Sequence, residues 1–204
     1  MSEEKDIKPK HTGSKKMFDN PILEKLSRTH ISIPISIYAL TGIGLATYAY
    51  KYTNIQTYLI AILFLLGMIA FTLAEYWVHR SVYHIDTDTE KKKKFQYNVH
   101  GVHHEYPKDK TRLAMPPIIS IIIVLILLGL FRLLIGIYAF AFLPGFFFGY
   151  AGYLFIHYIV HAYPAPKNFF KFFWVHHAQH HYKDGLSAFG VSSPFWDYVF
   201  KTMP

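Results

Sequence analysis

Four long apolar stretches constrain the fold of this chain more than any other feature of its sequence. They cover residues 31–50, 57–78, 117–136 and 137–156, and each is close to the ~20 residues that an α-helix needs to cross a bilayer. The last two adjoin, so we expect a tight helical hairpin there that either crosses the membrane twice or re-enters it. With 52% hydrophobic and 18% aromatic residues, the composition is also that of an integral membrane protein.

The basic residues predict how these helices are oriented. Four crossings would leave residues 1–30, 79–116 and 157–204 on one side of the membrane. Of the 21 lysines and arginines, only Lys51 and Arg132 lie outside these segments. Because basic residues accumulate on the cytoplasmic side, both termini are expected in the cytoplasm. The basic residues follow this membrane pattern and no recognition module is visible, so we expect no nucleic-acid partner.

The first 30 residues divide into two segments. Residues 1–16 are polar and charged without apolar periodicity, which predicts a disordered leader followed by a folded domain over 17–204. Asn20 followed by Pro21 is a typical start of an α-helix. Apolar residues within the next turn and a half would share one face of this helix. It is therefore expected either to lie on the membrane surface or to be an ordinary solvated helix.

Ten of the 13 histidines, with His176 as an eleventh, fall into four short motifs, all in the segments assigned to the cytoplasmic side. The motifs are EYWVHRSVYH, HGVHH, HYIVH and HHAQHH. Because helical residues three or four apart share a face, HYIVH and each H-x-x-H-H set can point at a common metal ion. The five-residue step in the first motif fits a regular helix less well and predicts a helix end or a bulge. The ten histidines are His79, His84, His100, His103, His104, His157, His161, His177, His180 and His181.

These motifs predict a metal site. Random placement of 13 histidines in 204 residues gives about 0.05 occurrences of H-x-x-H-H, whereas the chain has two. The chain has no cysteine, so the ligands must be nitrogen or oxygen, and imidazole suits iron, zinc, copper or nickel. Ten imidazoles are too many for one ion and suit two. The alternatives are ordinary buried histidines or a polar tract, whereas a zinc protease is excluded because HEYPK lacks the second histidine of H-E-x-x-H.

Glu75 is the best candidate for a carboxylate that supports the histidines or takes part in catalysis. It lies one turn before His79 at the membrane boundary, where an ionisable side chain is costly. Carboxylates commonly orient the rings of metal-bound histidines. The alternative is an interfacial ion pair with Arg80 or a lysine. Asp184 and Asp197 are expected to be turn and capping residues.

The four histidines of HHAQHH are not expected to be equivalent. The last three align with the three histidines of HGVHH, whereas His176 has no counterpart. We therefore expect His176 to cap or support the site rather than to bind metal.

The motifs and their flanks resemble the fatty acid hydroxylase superfamily of integral-membrane, histidine-rich di-iron oxygenases, in particular the fatty acid 2-hydroxylases. The resemblance spans residues 17–204 and rests on LEKLSRTHISIP, EYWVHRSVYH, HGVHHEYPKDKTRLAMPP, HYIVHAYP and HHAQHHYKDGLSAFGVSSPFWDYVFKT. It implies that the ten histidines bind two iron ions, for which zinc can substitute in the isolated protein. It also implies an all-α integral membrane fold, with four transmembrane helices and a cytosolic helical cap that holds the dimetal site.

The resemblance further implies an O2-using monooxygenase that hydroxylates carbon 2 of fatty acyl chains, in sphingolipids, other lipids or free fatty acids. Such chemistry requires an oxidant made from O2 at a redox metal. Eukaryotic members often carry a fused cytochrome b5 domain that this sequence lacks, so a separate redox donor of the cytochrome b5 or ferredoxin type is expected. The alternatives are a sterol or other lipid desaturase or oxidase of the same superfamily, and a non-enzymatic membrane protein that binds or transports metal.

Three further features bear on the substrate and the donor. Tyr153 and Trp174 are candidates for the wall of the acyl channel, although both are also compatible with core aromatics. Eukaryotic members of the superfamily show Tyr-Asp before the third motif where this chain has Tyr153 and Leu154, so its substrate contacts are expected to differ. The four lysines at 91–94 form a solvated face, a contact with anionic lipid, or a docking site for an acidic electron donor.

Overall fold

The computed structural model describes residues 8–183 and 185–204, and within these ranges the chain is helical without a strand. The prediction of an all-α fold is therefore confirmed. The helices are α1 (Pro21–Leu26), α2 (Ser32–Tyr52), α3 (Thr57–Val78), α4 (Glu90–Gln96), α5 (Val102–Glu105), α6 (Pro117–Ile135), α7 (Ala139–Ala162), α8 (Lys171–Tyr182) and α9 (Phe195–Val199). Two π-helical turns (His79–Tyr83 and Tyr97–Gly101) and a 3-10 turn (Gly136–Tyr138) connect some of them.

Three helical segments of the described chain are long and apolar enough to cross a membrane. They are Ser32–Tyr52, Thr57–Tyr83 and Pro117–Ala162. The first two coincide closely with the predicted stretches 31–50 and 57–78. The other two predicted stretches form a single helical segment comprising α6, the 3-10 turn and α7, so the number of crossings stays a prediction.

The chain reverses its direction between α6 and α7. Gly136 has a φ of +59°, a conformation that glycine adopts without steric cost. The ring of Phe131 then packs against Phe142 at 5.1 Å and Phe146 at 6.3 Å between centroids. In a straight helix, residues 131 and 146 would be about 22 Å apart. The expected helical hairpin is therefore present.

Helix α7 is the centre of the packing, because it contacts both α2 and α3 along their lengths. Glycines allow α3 and α7 to approach closely. A Cβ atom on Gly67 would lie 2.1 Å from the carbonyl oxygen of Phe142, and one on Gly145 would lie 1.8 Å from that of Phe64. The outward faces of the helices remain apolar and exposed, which suits contact with lipid tails.

The amino-terminal segment packs against the residues after α5. The Asn20 side chain accepts hydrogen bonds from the amides that open α1, so the predicted cap is confirmed. Glu24 binds Arg112 with an O···N distance of 2.6 Å. Lys10, which lies in the irregular chain before α1, forms an ion pair with Glu105 at the end of α5. Residues 1–7 lie outside the described residues, and the disordered leader over 1–16 stays a prediction.

Candidate metal centre

Helix ends and short helices carry all ten predicted ligands to one region of the molecule. His79 and His84 follow the end of α3, and the HGVHH motif runs from the second π-helical turn into α5. His157 and His161 occupy the last turns of α7. The three aligned histidines of HHAQHH lie in α8.

A π-helical turn explains the five-residue step between His79 and His84. Helix α3 ends at Val78, and the amide of His84 donates to the carbonyl of His79 with an N···O distance of 3.2 Å. Because π-helical bonding joins residues five apart, it aligns these two side chains on one face. Their ring centroids are 5.1 Å apart. The predicted bulge is confirmed.

The ten histidines converge into two groups of five. In each group every residue offers one ring nitrogen, and these atoms all lie within 4.8 Å of one another. None of the ten residues is more than 9% exposed. Site A contains His79, His84, His100, His104 and His180, and site B contains His103, His157, His161, His177 and His181.

Each H-x-x-H-H motif is divided between the two sites, which corrects the expectation that each set points at one metal ion. The first and third histidines of HGVHH are in site A, and the middle one, His103, is in site B. In α8 the assignment is reversed, because only the middle one, His180, is in site A. Residues four apart stay on one face, whereas the middle residue points to the neighbouring site. His157 and His161 share site B, as expected.

The spacing of the nitrogen atoms matches that of ligands around a metal ion. At metal–nitrogen bonds of about 2.1 Å, two ligands at right angles lie about 3.0 Å apart. In site A, the Nε2 atom of His100 lies 3.1 Å from that of His79 and 3.0 Å from that of His104. In site B, the Nε2 pairs His103–His157, His103–His181, His161–His177 and His177–His181 are 3.0, 3.1, 2.8 and 3.1 Å apart.

The other ring nitrogens support binding through Nε2. In site A, the Nδ1 atom of His180 donates to the carbonyl of Ser187 at 2.8 Å, while its buried Nε2 atom has no hydrogen-bond partner among the described residues. In site B, the Nδ1 atoms of His103, His157, His177 and His181 make no hydrogen bond of ordinary geometry within the described ranges, whereas the Nε2 atoms face one another. Nitrogen donors in this arrangement fit iron or zinc, so both groups can hold a metal ion.

Burial keeps several of these imidazoles neutral. Loss of solvation, reinforced by neighbouring histidines, lowers the pKa of His100, His104 and His177 well below the usual value. Burial lowers the pKa of His180 to about 3. The unprotonated ring is the form that binds metal, so the sites are ready to bind ions at neutral pH.

His176 lies on the same helix as three ligands but outside both sites. It is 7% exposed, and its Nε2 atom donates to Asp197 at 3.2 Å. Burial would raise the pKa of Asp197, but hydrogen bonds from His176, Thr202 and two backbone amides lower it below its usual value. Asp197 is completely buried. Asp197 was expected to be a turn or capping residue, but it accepts hydrogen bonds inside the protein.

Glu75 contacts a backbone loop where a histidine ring was expected. Its carboxylate accepts hydrogen bonds from the amides of Val191 and Ser192 at 2.7 and 2.8 Å, and from the Ser192 hydroxyl. Arg80, the alternative partner, instead donates to the hydroxyl of Tyr76. Any influence of Glu75 on the histidines therefore passes through the loop.

Two cavities border the sites. A cavity of about 370 Å³ is lined by His100, His103, His157 and Tyr153, together with apolar residues between 113 and 119. Tyr153 stacks on His157 with 5.5 Å between ring centroids. A second cavity, of about 350 Å³, is lined by Trp174 and by three histidines of site B, His161, His177 and His181. The two aromatic candidates thus belong to different cavities.

The lysine run lies in helix α4, whose amino-terminal end is capped by the Thr89 side chain. Lys92 pairs with Asp88 and Lys93 with Glu90, while Lys91 and Lys94 are exposed. This arrangement agrees with a solvated face, and docking of a donor or of anionic lipid stays a prediction.

Sequence reasoning missed the loop at 187–192 and underrated Asp197. The carbonyls of Ser187 and Phe189 accept from His180 and His79 of site A. Backbone groups leave no mark in side-chain motifs, and the only available signal was the position of a tryptophan–aspartate pair shortly after the last motif. Asp184, the other predicted turn residue, lies outside the described residues.

Comparison with known proteins agrees with this architecture. A model of the fatty acid hydroxylase family matches residues 64–202. The chain is 34% identical to a ceramide very long chain fatty acid hydroxylase of Schizosaccharomyces pombe, over 96% of this chain and 57% of that protein. It is 36% identical to a dihydroceramide fatty acyl 2-hydroxylase of Arabidopsis thaliana, over 68% of this chain and 59% of that protein. The chain therefore spans somewhat less than two thirds of the length of these relatives.

A solved structure is also similar. It is described as full-length scs7p with only the hydroxylase domain visible, and it is 33% identical. The superposition has a TM-score of 0.86 and covers 96% of this chain and 75% of that one.

Proposed function

This chain belongs to the fatty acid hydroxylase family, and on that premise we propose that it is an iron-dependent hydroxylase that uses O2 to add a hydroxyl group to carbon 2 of lipid acyl chains. The observation that carries the proposal is the convergence of ten buried histidines into two five-nitrogen sites beside a cavity. The names of the similar proteins support ceramide-linked acyl chains as substrates, with free fatty acids as the other candidate.

Sites A and B are assigned one iron ion each. Two irons would supply the activation of O2 that breaking an unactivated C–H bond requires. The protein holds ten imidazoles in place and shields them from water, since none is more than 9% exposed. Zinc prefers the same nitrogen ligands, so isolated protein can carry zinc instead.

The cavity of about 370 Å³ is assigned to the acyl chain. It borders one ligand of site A, His100, and two of site B, so a chain lying in it reaches both ions. Tyr153 forms part of its wall and supports the ring of His157. Its role is to position the acyl carbon beside the ions.

The membrane unit is assigned to four crossings, within a single domain over 17–204. Ser27, shortly before α2, and Pro116, at the start of α6, line the same cavity as His100 and His157. Helices α3 and α7 also end at histidines of the two sites, as an even number of crossings requires. Most basic residues share this side, which supports a cytoplasmic cap and cytoplasmic termini.

Hydroxylation consumes O2, two electrons and two protons and yields the hydroxylated chain and water, so an electron donor is required. We assign this role to a separate protein of the cytochrome b5 or ferredoxin type. The exposed lysines of α4 would attract an acidic donor.

The proposal is tested by expressing the chain, with a working donor, in a host that lacks 2-hydroxy lipids. Lipid mass spectrometry should find acyl chains with one added oxygen atom at carbon 2. The His180→Ala variant should lose this product. His176→Ala, a change of a buried histidine on the same helix that lies outside both sites, should still form it, although His176 also contacts Asp197. Unchanged lipids despite a metal-loaded protein would overturn the assignment, as would oxidation of a sterol instead.

A further inference from the structure

The two sites differ in what holds their rings. In site A, the Nδ1 atoms of His79 and His180 donate to the carbonyls of Phe189 and Ser187, at 2.6 and 2.8 Å. We call residues 187–192 the carbonyl loop. In site B, four of the five Nδ1 atoms make no hydrogen bond of ordinary geometry among the described residues. A carbonyl that accepts from Nδ1 leaves the proton off Nε2 and fixes the ring direction, so the loop orients site A alone.

The loop has a backbone that its surroundings must hold in place. Ala188 lies between Ser187 and Phe189, whose carbonyls accept from the histidines. It has a φ of +56°, which residues other than glycine rarely adopt. A Cβ atom on Gly190 would lie 2.1 Å from the carbonyl of Ser193 and 2.9 Å from a carboxylate oxygen of Asp197. Backbone conformations of this kind cost free energy, so they persist only where contacts with neighbouring groups hold them in place.

Two buried carboxylates supply this restraint by accepting from four consecutive amides. Asp197 accepts from the amides of Phe189 and Gly190, both at 2.8 Å. Glu75 accepts from the next two amides at 2.7 and 2.8 Å. Asp197 is in turn fixed by the Thr202 hydroxyl at 2.8 Å and by His176 at 3.2 Å. The carboxylates thus reach site A through the carbonyl loop.

We propose that Asp197 is a positioning residue for site A, which holds the carbonyl loop so that His79 and His180 present Nε2 to the metal ion. Site B has no such support from the loop. Loss of the Asp197 carboxylate therefore weakens the binding of the ion in site A and leaves the binding of the ion in site B unchanged. This inference rests on the proposed function only in requiring that both sites bind metal.

The test measures the release of zinc from purified, zinc-loaded full-length protein to an excess of a colorimetric chelator. Wild type should release two ions per chain slowly. Asp197→Asn should release one of them about 10- to 100-fold faster, the range typical for loss of a group that orients a metal ligand. The matched control is Asp109→Asn, which alters another buried aspartate that accepts from a backbone amide but does not touch the loop. Both of its ions should behave as in wild type.

Two variants, each with one site disabled, show which site holds the ion that is released faster. With site B disabled by His161→Ala, the Asp197→Asn change should still accelerate release. With site A disabled by His104→Ala, it should have no effect. If Asp197→Asn does not fold, Thr202→Val removes one restraint on the carboxylate and should accelerate the same ion to a smaller extent.

Equal acceleration of both ions, or of neither, would overturn the inference while leaving the proposed function intact. Failure of wild type to retain two ions would instead contradict the assignment of two metal sites.

Discussion

Replacing Gly145 with alanine should separate α3 from α7 and show how tightly the metal sites depend on the helix packing. The new Cβ atom would lie 1.8 Å from the carbonyl oxygen of Phe64 and 2.7 Å from its carbon. An ordinary carbon–oxygen contact is about 3.3 Å, so the helices must move apart by about 1.5 Å. The obstacle is backbone, which cannot rotate away, so we expect a loss near the upper end of the usual range for overpacking, about 3 kcal/mol.

The displacement should also reach the metal sites. Helix α3 leads directly to His79 of site A, and α7 carries His157 and His161 of site B. Metal–ligand distances tolerate changes of only about 0.2 Å. We therefore expect zinc content to fall below two ions per chain.

Thermal unfolding in detergent and zinc content per chain are the measurements. Gly152→Ala is the matched control, because it lies on the same helix and a Cβ atom there would meet nothing within 4 Å. It should be as stable as wild type or slightly more so, since alanine favours a helix over glycine. If Gly145→Ala melts with Gly152→Ala and keeps both ions, the close approach of the helices does not determine the site geometry.

Three other predictions concern the histidines and the lysines. His177→Ala should lose a site B ion, whereas His176→Ala should keep both, as metal analysis can show; loss of metal from His176→Ala, while Asp197→Asn keeps both ions, would place His176 among the ligands. Burial holds the folded pKa of His180, at about 3, below that of the unfolded chain, so the unfolded state binds more protons between these values. Metal-free protein should thus lose stability as pH falls from 7 to 5, and a higher melting temperature at pH 5 would contradict this. Replacing the lysines at 91–94 with glutamine should raise the KM for an acidic donor and flatten its salt dependence, and an unchanged KM would exclude docking there.

The sequence was sufficient for the features that depend on local pattern. Apolar length fixed α2 and α3 almost to the residue, because a helix that meets lipid must be continuously apolar. The spacing of the histidines selected the ten residues that converge, and the odd step from His79 to His84 revealed a helical irregularity. The lack of a counterpart for His176 in HGVHH also separated it from the ligands.

Only the tertiary structure decided how these residues are shared and supported. A repeated H-x-x-H-H spacing says which side chains share a helix face, but the partner across the interface depends on how α5, α7 and α8 pack. That packing divides each motif between two sites. The carbonyls that orient His79 and His180 belong to a loop more than 100 residues from His79, and Asp197 restrains it by binding amides. Backbone groups are identical along the chain, so their contacts exist only once the fold has brought them together.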